Sequence, residues 1–181
     1  MEVRTDRLRL REWREADREP FAALNADPDV MRYLLAPLDR AASDAFADRV
    51  ATRIAEVGYG LWAVEVVGGA EFIGFVGLNP MPAGTPGAGE EEIGWRLARS
   101  AWHRGYASEA AAAVLDVAQI DLALPRVWSM AARVNTPSIA VMRRIGMAPQ
   151  TTFEHPRVPV GHPLRPHVAY VWPPPDLDER R

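Results

Sequence analysis

Residues 102–110 read W-H-R-G-Y-A-S-E-A and run directly into an alanine-rich segment of helical character. Two small residues, Gly105 and Ala107, flank a tyrosine just before the predicted helix. The first turn of a helix leaves backbone N–H groups unpaired and carries the positive end of the helix dipole, so this turn suits a bound anion. The alternative is a plain strand-to-helix turn in which glycine permits a tight bend.

The composition is that of an ordinary globular protein. The chain has 181 residues, of which 48% are hydrophobic and 25% are charged, and we expect one domain over residues 1–181. The absence of cysteine excludes disulfides, thiolate metal sites and cysteine nucleophiles. A net charge of −3 argues against a nucleic-acid partner. We find no secretory segment and no membrane-spanning apolar run, so we expect a cytoplasmic protein with no membrane partner.

Hydrophobic periodicity predicts strands and helices in alternation. The predicted strands cover residues 3–13, 61–67, 71–78, 91–97, 127–132, a short segment near 151, and 167–172. The predicted helices cover residues 16–35 with a break at Pro28, 41–57, 108–122 and 137–145. This order indicates an α/β (α+β) fold with a mixed sheet and helices on its faces.

Local signals support several of these elements. Apolar positions spaced four apart form one stripe of the second helix; they are Ala42, Phe46, Val50 and Ile54. Gly68-Gly69 predicts a hairpin between the strands of residues 61–67 and 71–78. Asn135 or Thr136 caps the last helix. The glycines of residues 80–89 belong to a loop, because no strand-turn-helix unit follows them at the spacing of a dinucleotide fingerprint.

The turn of residues 102–107 therefore lies between a predicted strand, Glu92–Leu97, and a predicted helix. It lacks the G-x-x-x-x-G-K-[ST] spacing, which excludes a P-loop. The remaining interpretation is a phosphate-binding site formed by the backbone N–H groups of residues 103–108. Gly105 and Ala107 have almost no side chain to block the approach.

At these residues the sequence resembles the GNAT superfamily of acyl-CoA-dependent N-acyltransferases, and within it the ribosomal-protein-alanine acetyltransferase-like (RimJ/RimL-like) branch. The family's diphosphate loop has the pattern Gln/Arg-x-x-Gly-x-Gly/Ala, which residues 102–107 match with tryptophan in the first place. Four further segments match in order along the chain: R-L-R-L-R-E-W at 7–13, D-P-D-V-M-R-Y-L at 27–34, E-I-G-W at 92–95 and N-T-P-S-I-A-V-M-R-R-I-G-M at 135–147.

The resemblance implies a single GNAT-like domain with a mixed, mostly antiparallel sheet and helices on both faces. Its two central parallel strands, here Glu92–Leu97 and Val127–Ala132, splay apart, and pantetheine lies in the gap. The resemblance assigns the pantetheine contacts to the main chain of Arg96, Leu97 and Ala98, with Asn135 facing the pantetheine arm. It assigns the diphosphate to the amides of His103, Arg104, Gly105, Tyr106, Ala107 and Ser108.

Acyl transfer requires a neutral amine. The pKa is about 7.8 for an α-amine and about 10.4 for a lysine side chain, so both are mostly protonated at neutral pH. A general base is therefore useful, and some family members place a glutamate at the position of Glu92. We expect Glu92 to act as the base through one or two waters; a surface charge at a strand end is the alternative. Many members protonate the departing thiolate with a tyrosine where this chain has Met142. Ser138 is the substitute, or it serves only the helix terminus.

Three histidines, His155, His162 and His167, lie close together in the sequence, but their spacing and the lack of a carboxylate or cysteine partner predict no metal site. We expect their segment to wall the acceptor pocket. The predicted function is N-acetyl transfer from acetyl-CoA to a primary amine, either a protein N-terminus or a small molecule. A catalytically silent CoA-binding module is the alternative. The sequence does not identify the acceptor and leaves a homodimer open.

Overall fold

The computed structural model describes residues 1–174. Its strands are β1 (Val3–Arg4), β2 (Leu8–Arg11), β3 (Leu61–Val66), β4 (Gly74–Pro80), β5 (Glu91–Leu97), β6 (Val127–Ala132), β7 (Ala148–Glu154) and β8 (Pro166–Trp172). Its α-helices are α1 (Arg18–Ala26), α2 (Pro28–Met31), α3 (Arg40–Val57), α4 (Tyr106–Ile120) and α5 (Thr136–Arg144). Two short 3-10 helices cover Glu15–Asp17 and Arg99–Ala101.

The eight strands form one mixed sheet in the order β1-β2-β3-β4-β5-β6-β8-β7. The parallel pairs between β5 and β6 are Glu91 with Val127 and Glu92 with Trp128. One residue further along β5, the carbonyl of Ile93 accepts a hydrogen bond from the Ser129 hydroxyl at 3.0 Å. The expected α/β (α+β) fold with a mostly antiparallel sheet is confirmed.

Several boundaries differ from those that the sequence predicts. Residues 3–13 form two antiparallel strands rather than one, because the hydroxyl of Thr5 and the backbone of Leu8 close a turn between them. Helix α4 begins at Tyr106, two residues before the predicted start. The hairpin at Gly68-Gly69 is confirmed by the antiparallel pairing of β3 with β4. The strand limits of residues 91–97 and 127–132 are also confirmed.

The helices follow their capping residues. Pro28 is the first residue of α2 and Asp27 caps it, so the chain starts a new helix at the predicted break. The side chain of Asn135 caps α5 by accepting a hydrogen bond from the backbone N–H of Ser138. The predicted stripe on α3 is partly wrong, because Ala42 is exposed.

The chain forms two compact units. Unit 1 comprises Met1–Leu78 and Gly94–Val114. Its core contains a cluster of five aromatic side chains, in which Trp13 meets Phe21 edge to face at 4.8 Å between ring centroids. The other members are Phe46, Phe72 and Phe75. The indole N–H of Trp13 donates to the carbonyl of Leu61 at 2.7 Å, which satisfies its one polar atom.

A buried ion pair ties the start of unit 1 together. The guanidinium of Arg11 binds both carboxylate oxygens of Asp17 at 2.8 and 2.9 Å, and its Nε donates to Glu65 at 2.8 Å. The carbonyls of Glu12 and Glu71 accept its remaining hydrogens. All five donors of this arginine are therefore satisfied, and hydrogen bonds to Asp17 raise its pKa further.

Unit 2 comprises Asn79–Ile93 and the described part of Leu115–Arg181. One of its apolar clusters consists of Met81, Trp128, Ala169 and Val171, with Met130 and Phe153 packed against it. The loop after β4 lies directly on this cluster: a Cβ at Gly87 would approach the indole of Trp128 to 2.4 Å. Only glycine fits at this contact, which fixes where the loop crosses the sheet.

Candidate active site

The turn before α4 carries a row of backbone amides without protein acceptors. His103 and Gly105 both have left-handed backbones, with φ of 59° and 81°. Within residues 1–174, no acceptor is bonded to the backbone N–H groups of residues 103–107, whereas the N–H of Glu109 already donates to the carbonyl of Gly105. Residues 103–105 are exposed. Consecutive amides in such a conformation, at a helix N-terminus, form a concavity that fits phosphate oxygens.

Contacts from the N-terminal hairpin hold this turn in place. The carboxylate of Glu109, in the first turn of α4, accepts hydrogen bonds from the hydroxyl of Thr5 at 2.5 Å and the Nε of Arg7 at 2.7 Å. It also accepts from the backbone N–H of Arg7 at 3.1 Å. Partial burial opposes ionisation of Glu109, but these hydrogen bonds outweigh it and keep its pKa below the usual value.

Arg7 also fixes the turn itself. Its Nη1 donates to the carbonyl of Arg104 at 3.0 Å, and its guanidinium stacks over the ring of Tyr106 at 4.9 Å. In a trans peptide the C=O and the next N–H point in opposite directions. Because the Arg104 carbonyl faces Arg7, the N–H of Gly105 faces away from it. Arg7 therefore orients one of the amides that would contact a phosphate.

The three positions expected to contact pantetheine are the last two residues of β5 and Ala98 directly after it, and they differ in their available backbone groups. The N–H of Ala98 already donates to the carbonyl of Ile73 at 2.8 Å, and its own carbonyl accepts from Ala101. The carbonyl of Leu97 accepts from the indole N–H of Trp102 at 2.8 Å. Trp102 thus bridges the strand and the turn, a function that its position at the head of the motif does not reveal from sequence.

Glu92 lies on β5 in unit 2, opposite Trp128 of β6. Its side chain is half-buried. Desolvation raises its pKa to about 7, the positive charge of Arg157 opposes this shift, and the negative charge of Glu91 adds to it. A carboxylate that titrates near neutrality can both accept and release a proton at physiological pH.

Asn135 and Ser138 lie together at the start of α5, also in unit 2. The Oδ1 of Asn135 accepts from the backbone N–H of Ser138 at 3.2 Å. This contact fixes the oxygen of the Asn135 amide, so the NH2 group points away from the helix as a donor. Both side chains are half-buried.

The histidines of the C-terminal segment pack as aromatic rings. His155 and His167 lie 4.7 Å apart between ring centroids, and Phe153 lies 5.6 Å from His167. Burial lowers the pKa of both histidines. The Nδ1 atoms of His155 and His162 accept hydrogen bonds from backbone amides. Within residues 1–174, no group of three or more His, Cys, Asp or Glu residues is arranged to hold a metal ion.

Comparison with known proteins decides the family. Residues 7–148 match the family model of the acetyltransferase (GNAT) domain. The chain belongs to the GNAT acetyltransferase family. It is 34% identical over 146 residues to the uncharacterized protein YkkB of Bacillus subtilis (strain 168), covering 79% of this chain and 83% of that protein. It is 28% identical to the uncharacterized N-acetyltransferase p20 of Bacillus licheniformis, covering 78% and 79% of the two chains.

Solved GNAT structures share the fold over nearly the whole chain. A GNAT-family acetyltransferase from Bacillus anthracis has a TM-score of 0.79 at 25% identity, covering 94% of this chain and 97% of that one. An acetyltransferase from Agrobacterium tumefaciens str. C58 has a TM-score of 0.77 at 30% identity, covering 95% and 94%. A RimL ribosomal L7/L12 α-N-protein acetyltransferase in complex with coenzyme A has a TM-score of 0.76 at 16% identity, covering 94% and 97%. At this identity the similarity shows the fold.

Family membership identifies the chain as a GNAT acetyltransferase, and GNAT enzymes use acetyl-CoA and an acceptor substrate. The amides of residues 103–107 and the bare backbone at Gly105 fit the diphosphate of such a cofactor. None of the helices within residues 1–174 is both long enough and apolar enough to cross a membrane.

The raised pKa of Glu92 predicts a pH-dependent loss of stability. The folded protein holds this proton more tightly than the unfolded chain between pH 4.5 and about 7, so ionisation of Glu92 destabilises the fold as pH rises through this range. Glu92→Gln removes this effect. We expect urea unfolding to show that the variant gains stability relative to wild type from pH 4.5 to 7.

The difference between the two proteins isolates Glu92 from His155 and His167, whose lowered pKa values act in the opposite direction, with stability lost as pH falls. Glu91→Gln is the matched control: it keeps a pH dependence of the same sign over a slightly narrower range, because Glu92 remains but loses the raising effect of the Glu91 charge. Parallel stability curves for wild type and Glu92→Gln would show that Glu92 titrates as an ordinary exposed carboxylate.

Proposed function

We propose that the protein transfers an acetyl group from acetyl-CoA to a primary amine by direct attack in a ternary complex, as one acyltransferase domain over residues 1–181. The observation that carries this proposal is the row of unbonded amides at residues 103–107, held open at the start of α4 in a GNAT chain. The ordered motifs at 7–13, 27–34 and 135–147 support placement in the RimJ/RimL-like branch.

In the proposed complex the amides of His103 to Ser108 bind the diphosphate. The main chain of Arg96 to Ala98 holds the pantetheine arm through the backbone groups that Ile73, Ala101 and Trp102 leave available. The NH2 group of Asn135 donates to the same arm, since its Oδ1 is already used by the cap. Bound in this way, acetyl-CoA supplies the thioester that the amine attacks.

Glu92 acts as the general base. It takes a proton from the ammonium of the acceptor, directly or through water, and leaves a neutral nitrogen with a free electron pair. That nitrogen forms a bond to the acetyl carbon as the bond from carbon to sulfur breaks. The nitrogen then releases its second proton, which Ser138 relays: the Ser138 oxygen accepts this proton, directly or through water, as its own hydroxyl proton passes to the departing thiolate. A pKa of about 7 suits Glu92 to this exchange, because a base is most effective when its pKa lies near the operating pH.

Substitution of Arg7 tests the proposed diphosphate-binding site. Arg7→Met removes the hydrogen bond that orients the Arg104–Gly105 peptide, and we expect calorimetry to show CoA binding weakened about tenfold. Binding of pantetheine, which has no diphosphate, should not change. Arg4→Met is the matched control: it removes the same charge from the neighbouring strand, where Arg4 contacts Glu2. An equal loss of affinity for CoA and pantetheine in Arg7→Met, or an equal loss of CoA affinity in both variants, would contradict a diphosphate site at this turn.

Glu92→Gln tests the base. We expect kcat to fall by about 10²- to 10³-fold near pH 7, and the wild-type rise in kcat/KM through pH 7 to disappear. The loss should shrink as pH approaches the pKa of the acceptor amine, because the free amine then needs no base. Glu91→Gln should keep a rise of the wild-type shape, displaced to slightly lower pH, because Glu92 remains and loses only the repulsion of the Glu91 charge. A loss of equal size at pH 6.5 and pH 9.5 would show that Glu92 positions the substrate instead.

A further inference from the structure

The guanidinium of Arg96, on β5 in unit 1, is half-buried in neutral surroundings. Its Nη1 donates to the Oδ1 of Asn25 at 2.5 Å. Its Cζ lies over the rings of Phe46 and Phe75 at 5.6 and 5.4 Å. Among residues 1–174, no carboxylate forms an ion pair with Arg96. Burial lowers the pKa of Arg96 to about 10, so the group remains charged at neutral pH.

Arg11, in the same unit, is a buried arginine with a structural role, and its hydrogen bonds can be compared with those of Arg96. Two carboxylates and two backbone carbonyls satisfy all five of its donors. Within residues 1–174, Arg96 has one neutral acceptor for its five donors. Partial desolvation of a charge that has no counter-ion is unfavourable, and a bound anion relieves that cost.

Asn25 cannot supply the missing charge, and it fixes how the guanidinium is oriented. Its amide is fully buried, and its Nδ2 donates to the hydroxyl of Ser43 at 2.8 Å. The amide oxygen therefore faces Arg96, which is the only assignment that an all-donor guanidinium permits. With Nη1 held by Asn25, the Nε and Nη2 donors of Arg96 remain on the opposite edge.

Nε and Nη2 present two parallel N–H groups, which match the two oxygens of a carboxylate. The main chain of Arg96 is, in the proposed function, one of the groups that hold the pantetheine arm. We propose that the side chain of Arg96 binds a carboxylate of the acceptor, so that the preferred acceptors are amines that also carry a carboxylate. This inference rests on the proposed N-acetyltransferase function. A positive charge at this point disfavours polyamines and aminoglycosides.

Ligand binding tests the assignment without turnover. The probes are the N-acetyl derivatives of glycine, phenylalanine and glutamate, each compared with its C-terminal carboxamide. We expect each carboxylate to raise the unfolding midpoint of the wild type at millimolar concentration, the carboxamides to have little effect, and Arg96→Met to abolish the difference. Equal shifts in wild type and Arg96→Met, or no shift from any carboxylate, would overturn the proposal.

Two variants separate ligand binding from folding. Arg96→Met should lower the midpoint less than Arg11→Met, because it leaves one neutral acceptor, the Oδ1 of Asn25, buried without a donor, whereas Arg11→Met leaves the Asp17 carboxylate buried and unpaired. Arg96→Lys keeps the charge without the pair of parallel donors, and we expect it to retain only part of the carboxylate effect. A full carboxylate effect in Arg96→Lys would overturn bidentate binding.

Turnover supplies a second readout. For amino acids compared with their amides, we expect wild-type kcat/KM to favour the carboxylate by about 10- to 100-fold, and Arg96→Met to bring this ratio close to one. The ratio cancels any loss of folding or cofactor binding. A wild-type ratio of one, in a protein that binds CoA, would overturn this inference and leave the proposed function standing. If the wild type does not bind CoA, the proposed function fails and the midpoint shifts still decide the carboxylate site.

Phosphoethanolamine and ethanolamine form a third pair, because a phosphate monoester also suits a guanidinium. If the phosphate-bearing amine is favoured more strongly than any carboxylate, the assignment of the ligand as a carboxylate is wrong.

Discussion

The carboxylate of Glu109 joins the N-terminal hairpin of unit 1 to the first turn of α4. Thr5 and Arg7 donate to it, and the same arginine holds the carbonyl of Arg104 and stacks on Tyr106. These contacts hold a turn in which two residues, His103 and Gly105, have left-handed backbone conformations. At His103 this conformation has a steric cost that a glycine would not have. The amides available for a diphosphate depend on this one network.

Strand β5 carries two charged side chains, Glu92 and Arg96, that form no salt bridge with any of the described residues 1–174. Glu92 responds to burial with a pKa near 7, so it can exist in either protonation state. Arg96 responds with a lowered pKa but stays charged, because an arginine pKa of about 10 is still well above neutrality. The same physical cause, desolvation, therefore suits one residue to proton transfer and the other to binding an anion. Arg11, with every donor satisfied, shows that this unit pairs a purely structural arginine completely.

The sequence was sufficient for the sheet, for most element limits and for the family, because these depend on short-range periodicity and on motifs read in order. Strands 91–97 and 127–132 illustrate this. The sequence does not predict contacts between segments that are far apart along the chain. Nothing near Gly105 indicates that Arg7, almost a hundred residues earlier, orients its amide. The same holds for the side chain of Arg96: its partner Asn25 lies on α1, and only the three-dimensional structure shows that no carboxylate within residues 1–174 pairs with it.

Calorimetric titration of the wild-type protein tests whether the turn before α4 binds the diphosphate of CoA. Desulfo-CoA and pantetheine are the two ligands, because the first keeps the diphosphate without the thiol and the second keeps the thiol without the diphosphate. If the turn binds the diphosphate, we expect desulfo-CoA to bind and pantetheine to bind far more weakly. Equal affinity for the two ligands, or no binding of desulfo-CoA at millimolar concentration, would contradict this expectation.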